Sequence, residues 1–214
     1  MNESVIVVGG GGHAKVVVST LLALNIKIEA IVDDDERKWD RRIFDIPVQG
    51  RECLDDRTEV RGVIAVGDND ARRRIRDEMP YAKWESIVHP QAYVHPSASI
   101  GAGTVIFAGA VIQPDVVIGE HCIINTNASI DHDCVIGDFA HIAPGSCLAG
   151  DVSVGEGAFL GIGGAVIVGR KIGKWSVVGA GAAVTEDIPD DTTAVGVPAR
   201  VTRHHYPKRS LLKA

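Results

Sequence analysis

Residues 118–142 read IGEHCIINTNASIDHDCVIGDFAHI, and an aliphatic residue stands at every sixth position of this stretch. The residue after the aliphatic one is glycine at regular steps of eighteen, at Gly101, Gly119, Gly137, Gly155 and Gly173. The six-residue spacing runs without a break through Val88, Val94, Ile100, Ile106, Ile112, Ile118, Ile124, Ile130, Ile136, Ile142, Leu148, Val154, Leu160, Val166, Ile172, Val178 and Val184. Three hexads therefore make one larger repeat.

A period of six does not fit an α-helix, which repeats every 3.6 residues, but it fits a coil with three short flat sides. Most residues four places after the aliphatic one are small, as a compact interior requires. The repeat therefore predicts a parallel β-helix whose coils stack about 4.8 Å apart. An antiparallel sandwich is the alternative, and the unbroken period argues against it.

This segment resembles the hexapeptide-repeat acyltransferases. Five hexads are close to that family's motif, namely IGAGTV, IGEHCI, IGDFAH, VGEGAF and IGKWSV, and the run Gly196–Arg200 is similar to the family's closing G-x-P-A. The resemblance implies that the β-helix, over residues 87–200, is left-handed.

Composition and charge restrict the function. The chain has 214 residues, 45% hydrophobic and only 5% aromatic, with a net charge of −6. No basic field is available for nucleic acid or an anionic membrane, and no apolar run approaches the roughly twenty residues of a membrane span. We expect a cytoplasmic protein with neither partner. The cysteines (Cys53, Cys122, Cys134 and Cys147) show no metal-binding spacing, and two of them occupy the small interior position of the hexad.

Residues 1–86 predict a second domain of α/β type. The apolar run Val5–Val8 is followed by four glycines and His13, and then by a helical pattern that ends near Leu24. Gly9, Gly11 and Ala14 satisfy the G-x-G-x-x-A pattern of dinucleotide-binding folds. Only one βαβαβ half fits before the β-helix begins, so we expect a short parallel sheet that binds one nucleotide half.

Glycines and a helix N-terminus can hold a phosphate through backbone N–H groups. We therefore predict that Gly11, Gly12 and His13 bind a diphosphate, and that Asp33 and Asp34, after the second strand, bind the nucleoside. A tight strand-to-helix turn without a ligand is the alternative.

A second turn, Gly67-Asp68-Asn69, follows the third predicted strand and precedes three arginines. Its side chains are candidates for a base or ribose, because open α/β sheets bind ligands at the carboxyl ends of their strands. Arg72 is a candidate phosphate contact. A solvated helix face, on which the arginines pair with Asp77 and Glu78, is the alternative.

Together the two domains resemble bacterial sugar acyltransferases that act on sugar nucleotides. Relatives of this kind N-acetylate UDP-4-amino-4,6-dideoxy sugars or O-acetylate sialic acids. The resemblance implies a nucleotide sugar on the first domain, acetyl-CoA as co-substrate, and a homotrimer whose acetyl-CoA clefts lie between subunits. It also implies a role in surface-glycan or glycoprotein biosynthesis.

Acetyl transfer to an amine requires a base that accepts a proton near pH 7, and histidine is suited to this. His132 stands between Asp131 and Asp133, either of which could orient its ring. The segment is similar to the family's acid-His-acid sequence, which implies that His132 is the base. An ordinary surface histidine is the alternative.

The resemblance also implies residues that contact acetyl-CoA: His141, Gly150, Gly161, Ile162, Gly179 and Gly181. Gly150 lies eighteen residues after His132, one coil above it, where its N–H could meet the thioester oxygen. No two repeat histidines are separated by a multiple of eighteen, so no zinc site is predicted. Residues 201–214 read as a basic, solvated tail. We expect direct N-acetylation of a nucleotide-linked amino-deoxysugar; sugar O-acetylation and nucleotide-sugar binding without catalysis are the alternatives.

Overall fold

The structure is a computed structural model that describes residues 4–54 and 60–205. Its first domain is a six-stranded sheet whose strands are, in spatial order, Arg42–Ile43, Ile46–Gln49, Ile28–Val32, Val5–Val8, Val60–Ile64 and Ala82–Trp84. The first two are antiparallel, and the other neighbours are parallel. Helix α1 spans Gly12–Ala23 and α2 spans Asn69–Glu78, and two short 3₁₀ turns lie at Glu36–Lys38 and Arg51–Leu54. The strands are β1 (Val5–Val8), β2 (Ile28–Val32), β3 (Arg42–Ile43), β4 (Ile46–Gln49), β5 (Val60–Ile64) and β6 (Ala82–Trp84).

The predicted α/β domain with a short parallel sheet is therefore present, and its main elements follow one another in the order β1, α1, β2, β5, α2 and β6. The hairpin β3–β4 and strand β6 widen the sheet beyond the prediction. These three strands have only two to four residues each, which is too short to leave an apolar run in the sequence.

Seventeen two-residue strands form the three sides of a left-handed parallel β-helix, as predicted. Each strand pairs with the strand eighteen residues later, for example Ile124 with Ile142. The strands of the first sheet are β7 (Ile87–Val88), β10 (Val105–Ile106), β13 (Ile123–Ile124), β16 (His141–Ile142), β19 (Phe159–Leu160) and β22 (Val177–Val178). Those of the second sheet are β8 (Tyr93–Val94), β11 (Val111–Ile112), β14 (Ser129–Ile130), β17 (Cys147–Leu148), β20 (Ala165–Val166) and β23 (Ala183–Val184). Those of the third sheet are β9 (Ser99–Ile100), β12 (Val117–Ile118), β15 (Val135–Ile136), β18 (Ser153–Val154) and β21 (Lys171–Ile172).

The aliphatic ladder points inward and forms the core of the β-helix, together with small residues such as Ala128 and Cys134. Strands β24 (Thr192–Val195) and β25 (Arg200–His204) close the first sheet as an antiparallel pair. The strand β25 thus continues four residues into the segment that the sequence predicted as a tail. The residues of that tail after His205 lie outside the described part of the chain.

The first domain packs on the outer face of the first sheet. Val105, Phe107 and Ile123 from this face join the core of the first domain, with Val7 and Val17 among their partners. This contact brings the carboxyl ends of β1 and β5 against the coil that carries His141. In the described ranges no helix is both long enough and apolar enough to cross a bilayer.

Candidate active site

The glycine loop opens the amino end of α1 toward a ligand. Gly9 has φ +117°, and a Cβ built there would lie 2.8 Å from the carbonyl oxygen of Ala65, so only glycine fits. Gly11 is the N-cap of α1 and Gly12 its first residue. A Cβ at Gly11 or Gly12 would meet no described atom within 4 Å. The helix N-terminus is therefore open to an anion, as the sequence predicted.

Asp33 lies at the end of β2 and holds the glycine loop in place. One carboxylate oxygen accepts the N–H of Gly10 at 2.7 Å, and the ammonium of Lys38 lies 2.8 Å away. Burial raises the pKa of Asp33, but these hydrogen bonds outweigh that effect and hold the pKa below its usual range. Lys38 was not anticipated from the sequence, because it lies on a 3₁₀ turn that only the fold brings back to Asp33. Asp34 is exposed and forms an ion pair with Arg51.

The second predicted turn docks onto the β-helix. Asp68 caps α2 by accepting the N–H of Ala71 at 2.8 Å. Asn69 donates both amide hydrogens to the β-helix, to the carbonyl oxygens of Gly157 (3.0 Å) and Ala158 (3.2 Å). Asn69 therefore joins the two domains and has no amide hydrogen left for a base or ribose.

Arg72 is a correction to the sequence prediction. Its side chain is only 1% exposed, and its N–H groups donate to carbonyl oxygens of both domains. Nε binds His121 O (2.7 Å), and Nη2 binds Phe139 O (2.7 Å) and Asn69 Oδ1 (2.9 Å). Nη1 reaches Val66 O and Gly67 O at 3.1 and 3.3 Å. All five donors are thus used, so Arg72 fastens the domains and does not contact a phosphate. Arg73 and Arg74 lie outside the buried side of α2, as the alternative held, but they pair with Asp70 and not with Asp77 or Glu78.

His141 lies where the two domains meet. Its ring centroid is 6.3 Å from that of His13 and 5.0 Å from that of Phe159. Nδ1 is 3.4 Å from the carbonyl oxygen of Gly67, and Nε2 is 3.1 Å from Nδ2 of Asn125. The structure thus brings His13 and Gly67, which the sequence predicted for the nucleotide sugar, beside His141, which it predicted for acetyl-CoA. The sequence analysis missed Asn125, which carries no motif.

These contacts define the protonation of His141. Asn125 Oδ1 accepts the backbone N–H of Thr126 at 2.8 Å, so the amide group facing His141 is the donor. Nε2 of His141 then accepts, and Nδ1 carries the hydrogen. Burial, followed by the positive charge of Arg72, lowers the pKa of His141 to about 3. The same two causes lower the pKa of His13 to about 4. Both rings are neutral at pH 7.

His132 has the opposite environment. It lies on the turn between β14 and β15, with its side chain 58% exposed. Nδ1 is 2.7 Å from Oδ2 of Asp133, and Oδ1 of Asp131 accepts the backbone N–H of His132. The hydrogen bond that His132 donates to Asp133 raises the pKa of His132 above its ordinary value. Asp133 therefore holds the imidazole ring through Nδ1, and Asp131 holds the backbone.

Gly150 lies directly above His132, as the eighteen-residue spacing predicted. A Cβ at this position would lie 2.6 Å from Cε1 and 2.7 Å from Nε2 of His132. The absence of a side chain therefore makes room for the imidazole ring.

The other residues expected to contact acetyl-CoA lie at the corner between the first and second sheets. Gly161 and Gly179 are stacked, since a Cβ on Gly161 would lie 2.7 Å from the carbonyl carbon of Gly179. Gly181 has φ +66°, and the side chain of Ile162 is 57% exposed. Within one chain this corner borders the first sheet, which carries His141. His132 lies on a different corner, between the second and third sheets.

A metal centre has no support in the part of the chain that the structure describes. No three His, Cys, Asp or Glu side chains there are grouped closely enough to hold a metal ion.

The fold and the site together define a β-helical transferase with a nucleotide-binding first domain. Residues 4–79 match the PglD N-terminal domain, and residues 97–132 match the bacterial transferase hexapeptide (six repeats). PerB from Caulobacter crescentus, solved with CoA and GDP-perosamine, is 41% identical with a TM-score of 0.88; the match covers 95% of this chain and 99% of PerB. The chain belongs to the hexapeptide-repeat sugar N-acetyltransferase family.

Two further relatives support this family assignment. The acetyltransferase domain of PglB from Neisseria gonorrhoeae FA1090 is 36% identical with a TM-score of 0.86, and the match covers 94% of this chain and all of that domain. The same domain was also solved with acetyl coenzyme A. UDP-N-acetylbacillosamine N-acetyltransferase of Bacillus subtilis (strain 168) is 42% identical over 115 residues. That alignment spans 50% of this chain and 52% of the B. subtilis protein.

Proposed function

We propose that this protein transfers the acetyl group of acetyl-CoA to the amine of a nucleotide-linked amino-deoxysugar. The observation that carries the proposal is the His132–Asp133 pair, an exposed imidazole with a raised pKa and a free Nε2. The relatives support the substrates: PerB was solved with CoA and GDP-perosamine, and the B. subtilis protein is named for a UDP-linked sugar.

The first domain binds the nucleotide sugar. The diphosphate lies on the open N–H groups at Gly11 and Gly12, and the nucleoside lies toward Asp33 and Asp34. The Nε2 atom of His13 is buried and has no hydrogen-bond partner among the described residues. A phosphate oxygen supplies that partner when the sugar nucleotide binds. The sugar then extends from the loop toward Gly67 and His141.

The chemical step is direct transfer. The sugar amine attacks the carbonyl carbon of the thioester, and Nε2 of His132 accepts the proton that the amine loses. The carbon–sulfur bond breaks, and the CoA thiolate leaves with a proton returned by His132. The N–H of Gly150 donates to the carbonyl oxygen as it gains negative charge. Each turnover forms one acetamide and one free thiol.

The active unit is a homotrimer. In one chain His132 lies on the corner between the second and third sheets, whereas His141 lies on a strand of the first sheet. A neighbouring subunit therefore brings His132 to the sugar bound beside His141. Exposed apolar side chains on the β-helix fit such an interface, among them Val117 (48%), Val135 (49%), Ile162 (57%), Ile167 (46%) and Val168 (62%). The cytoplasmic location and the role in glycan biosynthesis stay predictions.

A thiol-release assay tests the function. Acetyl-CoA is supplied with UDP-, GDP- and dTDP-linked amino sugars, with free sialic acid as the hydroxyl acceptor. We expect thiol release with at least one nucleotide amino sugar and a product heavier by one acetyl group. His132→Gln is the control for background hydrolysis. Release with sialic acid alone, or nucleotide binding without any release, contradicts the proposal.

A further inference from the structure

A small cavity of about 320 Å³ lies beside the proposed sugar position. One wall is the turn Gly67–Asp70, and the other comes from the β-helix: Gly157, Phe159, Trp175 and Val177. Ligand cavities usually measure about 300–1,000 Å³, so this one suits part of a sugar and not a whole nucleotide sugar.

Two residues of the apolar wall, Phe159 and Val177, belong to a single column on the outer face of the first sheet. Its members are spaced by eighteen residues: Val105, Ile123, His141, Phe159 and Val177. The first domain covers the lower part of this column, where Val105 and Ile123 are 1% and 0% exposed. Above His141, Phe159 and Val177 are only half-buried and line the cavity instead. The apolar column thus continues past the domain contact and is open to a ligand.

The wall is preformed. The ring of Trp175 lies over Gly157, where a Cβ would be 2.4 Å from ring atoms. Arg73 covers the ring at 4.5 Å from its centroid, and Asp70 holds Arg73 at 2.8 Å. Trp175 therefore does not need to move when a ligand enters.

The cavity is connected to the phosphate loop through His13. A Cβ on Gly67 would lie 4.0 Å from Cγ of His13, and Gly67 lines the cavity. The cavity therefore lies next to the ring of His13, at the end of the glycine loop that the diphosphate is proposed to occupy.

We propose that this cavity holds the C6 methyl group of the deoxysugar, and that Phe159, Trp175 and Val177 select 6-deoxy over 6-hydroxy acceptors. This inference rests on the proposed function. A C6 hydroxyl that faces Phe159, Trp175 and Val177 would lose its water partners, and these three apolar surfaces offer it no replacement. Apolar pockets typically discriminate by roughly 10- to 100-fold against a competitor that adds one hydroxyl group.

The test compares kcat/KM for a nucleotide-linked 4-amino-4,6-dideoxy sugar and for its 6-hydroxy analogue. We expect the wild-type protein to prefer the 6-deoxy acceptor by at least about tenfold. Val177→Thr keeps the branched shape of the side chain and adds a hydroxyl group. Val177→Thr should lower the preference for the 6-deoxy acceptor by roughly tenfold, because the threonine hydroxyl group can hydrogen-bond to the C6 hydroxyl of the competitor. The KM for acetyl-CoA should not change. Val111→Thr is the matched control, because Val111 has the same outward position on a strand of the second sheet.

Val177→Ile provides a second measurement that does not add a polar group. It narrows the cavity, and we expect a higher KM for the 6-deoxy acceptor with an unchanged KM for acetyl-CoA. Equal preference in the wild type and Val177→Thr overturns the inference, as does a change confined to the acetyl-CoA KM, which would place the pantetheine arm in the cavity. If neither acceptor is acetylated by the wild type, the proposed function itself fails.

Discussion

Nδ1 of His132 and Oδ2 of Asp133 lie 2.7 Å apart on an exposed corner of the β-helix. Because Asp133 accepts the hydrogen on Nδ1, it selects the tautomer whose Nε2 can accept a proton. The neighbouring Asp131 binds backbone instead of ring. The three-residue acid-His-acid segment thus assigns different tasks to its two carboxylates, and this difference can be tested.

Removing the base should lower the rate of acetyl transfer. We expect His132→Ala to reduce kcat by roughly 100- to 10,000-fold, the usual contribution of general base catalysis. The KM for acetyl-CoA should change little, because His132 acts on the proton of the amine. Steady-state kinetics at saturating sugar nucleotide measure the effect, and wild-type turnover by the variant would exclude His132 as the base.

The two carboxylates should differ in the pH profile. The hydrogen bond that His132 donates to Asp133 raises the pKa of His132. Because the base must be neutral to act, activity is lost as pH falls through this raised pKa. Asp133→Asn removes the cause, and we expect the acidic limb of kcat/KM to move to lower pH while the maximum falls. Asp131→Asn is the matched control, with a smaller displacement. If Asp133→Asn and Asp131→Asn displaced the acidic limb equally, Asp133 would affect the pKa of His132 no more than Asp131 does.

A methyl group at Gly150 should displace the catalytic ring. Gly150→Ala places Cβ 2.6 Å from Cε1 of His132, and we expect kcat to fall at least about tenfold, since small misplacements of a catalytic group cost up to roughly 100-fold. The control is the double variant with His132→Ala, in which Gly150→Ala should have no further effect. An additive loss would show that the glycine acts independently of the ring.

Arg72 should be important for stability, whereas its neighbour should not. Arg72→Met leaves the carbonyl oxygens of His121 and Phe139 without their partner inside the protein, at about 1–3 kcal/mol for each buried group. We expect the free energy of unfolding to fall by about 3 kcal/mol or more. Arg73→Met, in the same helix but half-exposed, should cost less than about 1 kcal/mol. Denaturant unfolding measures the free energy of unfolding of both variants. Similar losses in the two would contradict the conclusion that Arg72 joins the two domains.

The protein should lose stability in mild acid. Burial lowers the pKa values of His13 and His121 to about 4 and that of His141 to about 3. Below pH 6.5 the unfolded chain binds protons at these positions and the folded chain does not, so unfolding becomes easier as pH falls toward 4. Each histidine contributes roughly 1.4 kcal/mol per pH unit at most. His121→Phe, stacked on Phe139, should reduce the slope measured between pH 6.5 and 4.5; an unchanged slope would argue against burial of a neutral His121.

The sequence alone determined the β-helix and its register, because a six-residue period admits one way of stacking and each coil contacts only its neighbours. The position of Gly150 over His132 followed from the same arithmetic. The strand, glycine loop and helix of the first domain were equally local. Chemistry that lies within a few residues, such as Asp131-His132-Asp133, could be found in the same way.

The tertiary structure decided what depends on the packing of one domain on the other. From the sequence, Arg72 is one of three arginines expected on an exposed helix face. In the structure it is buried and joins the two domains, because α2 lies on the coils of His121 and Phe139. Asn125, Lys38 and the cavity wall at Phe159, Trp175 and Val177 carry no motif, since their partners are distant in sequence. Even the charge of His141 is decided there: burial beside Arg72 keeps it neutral, whereas His132, of the same residue type and nine positions away, remains exposed with its pKa raised by Asp133.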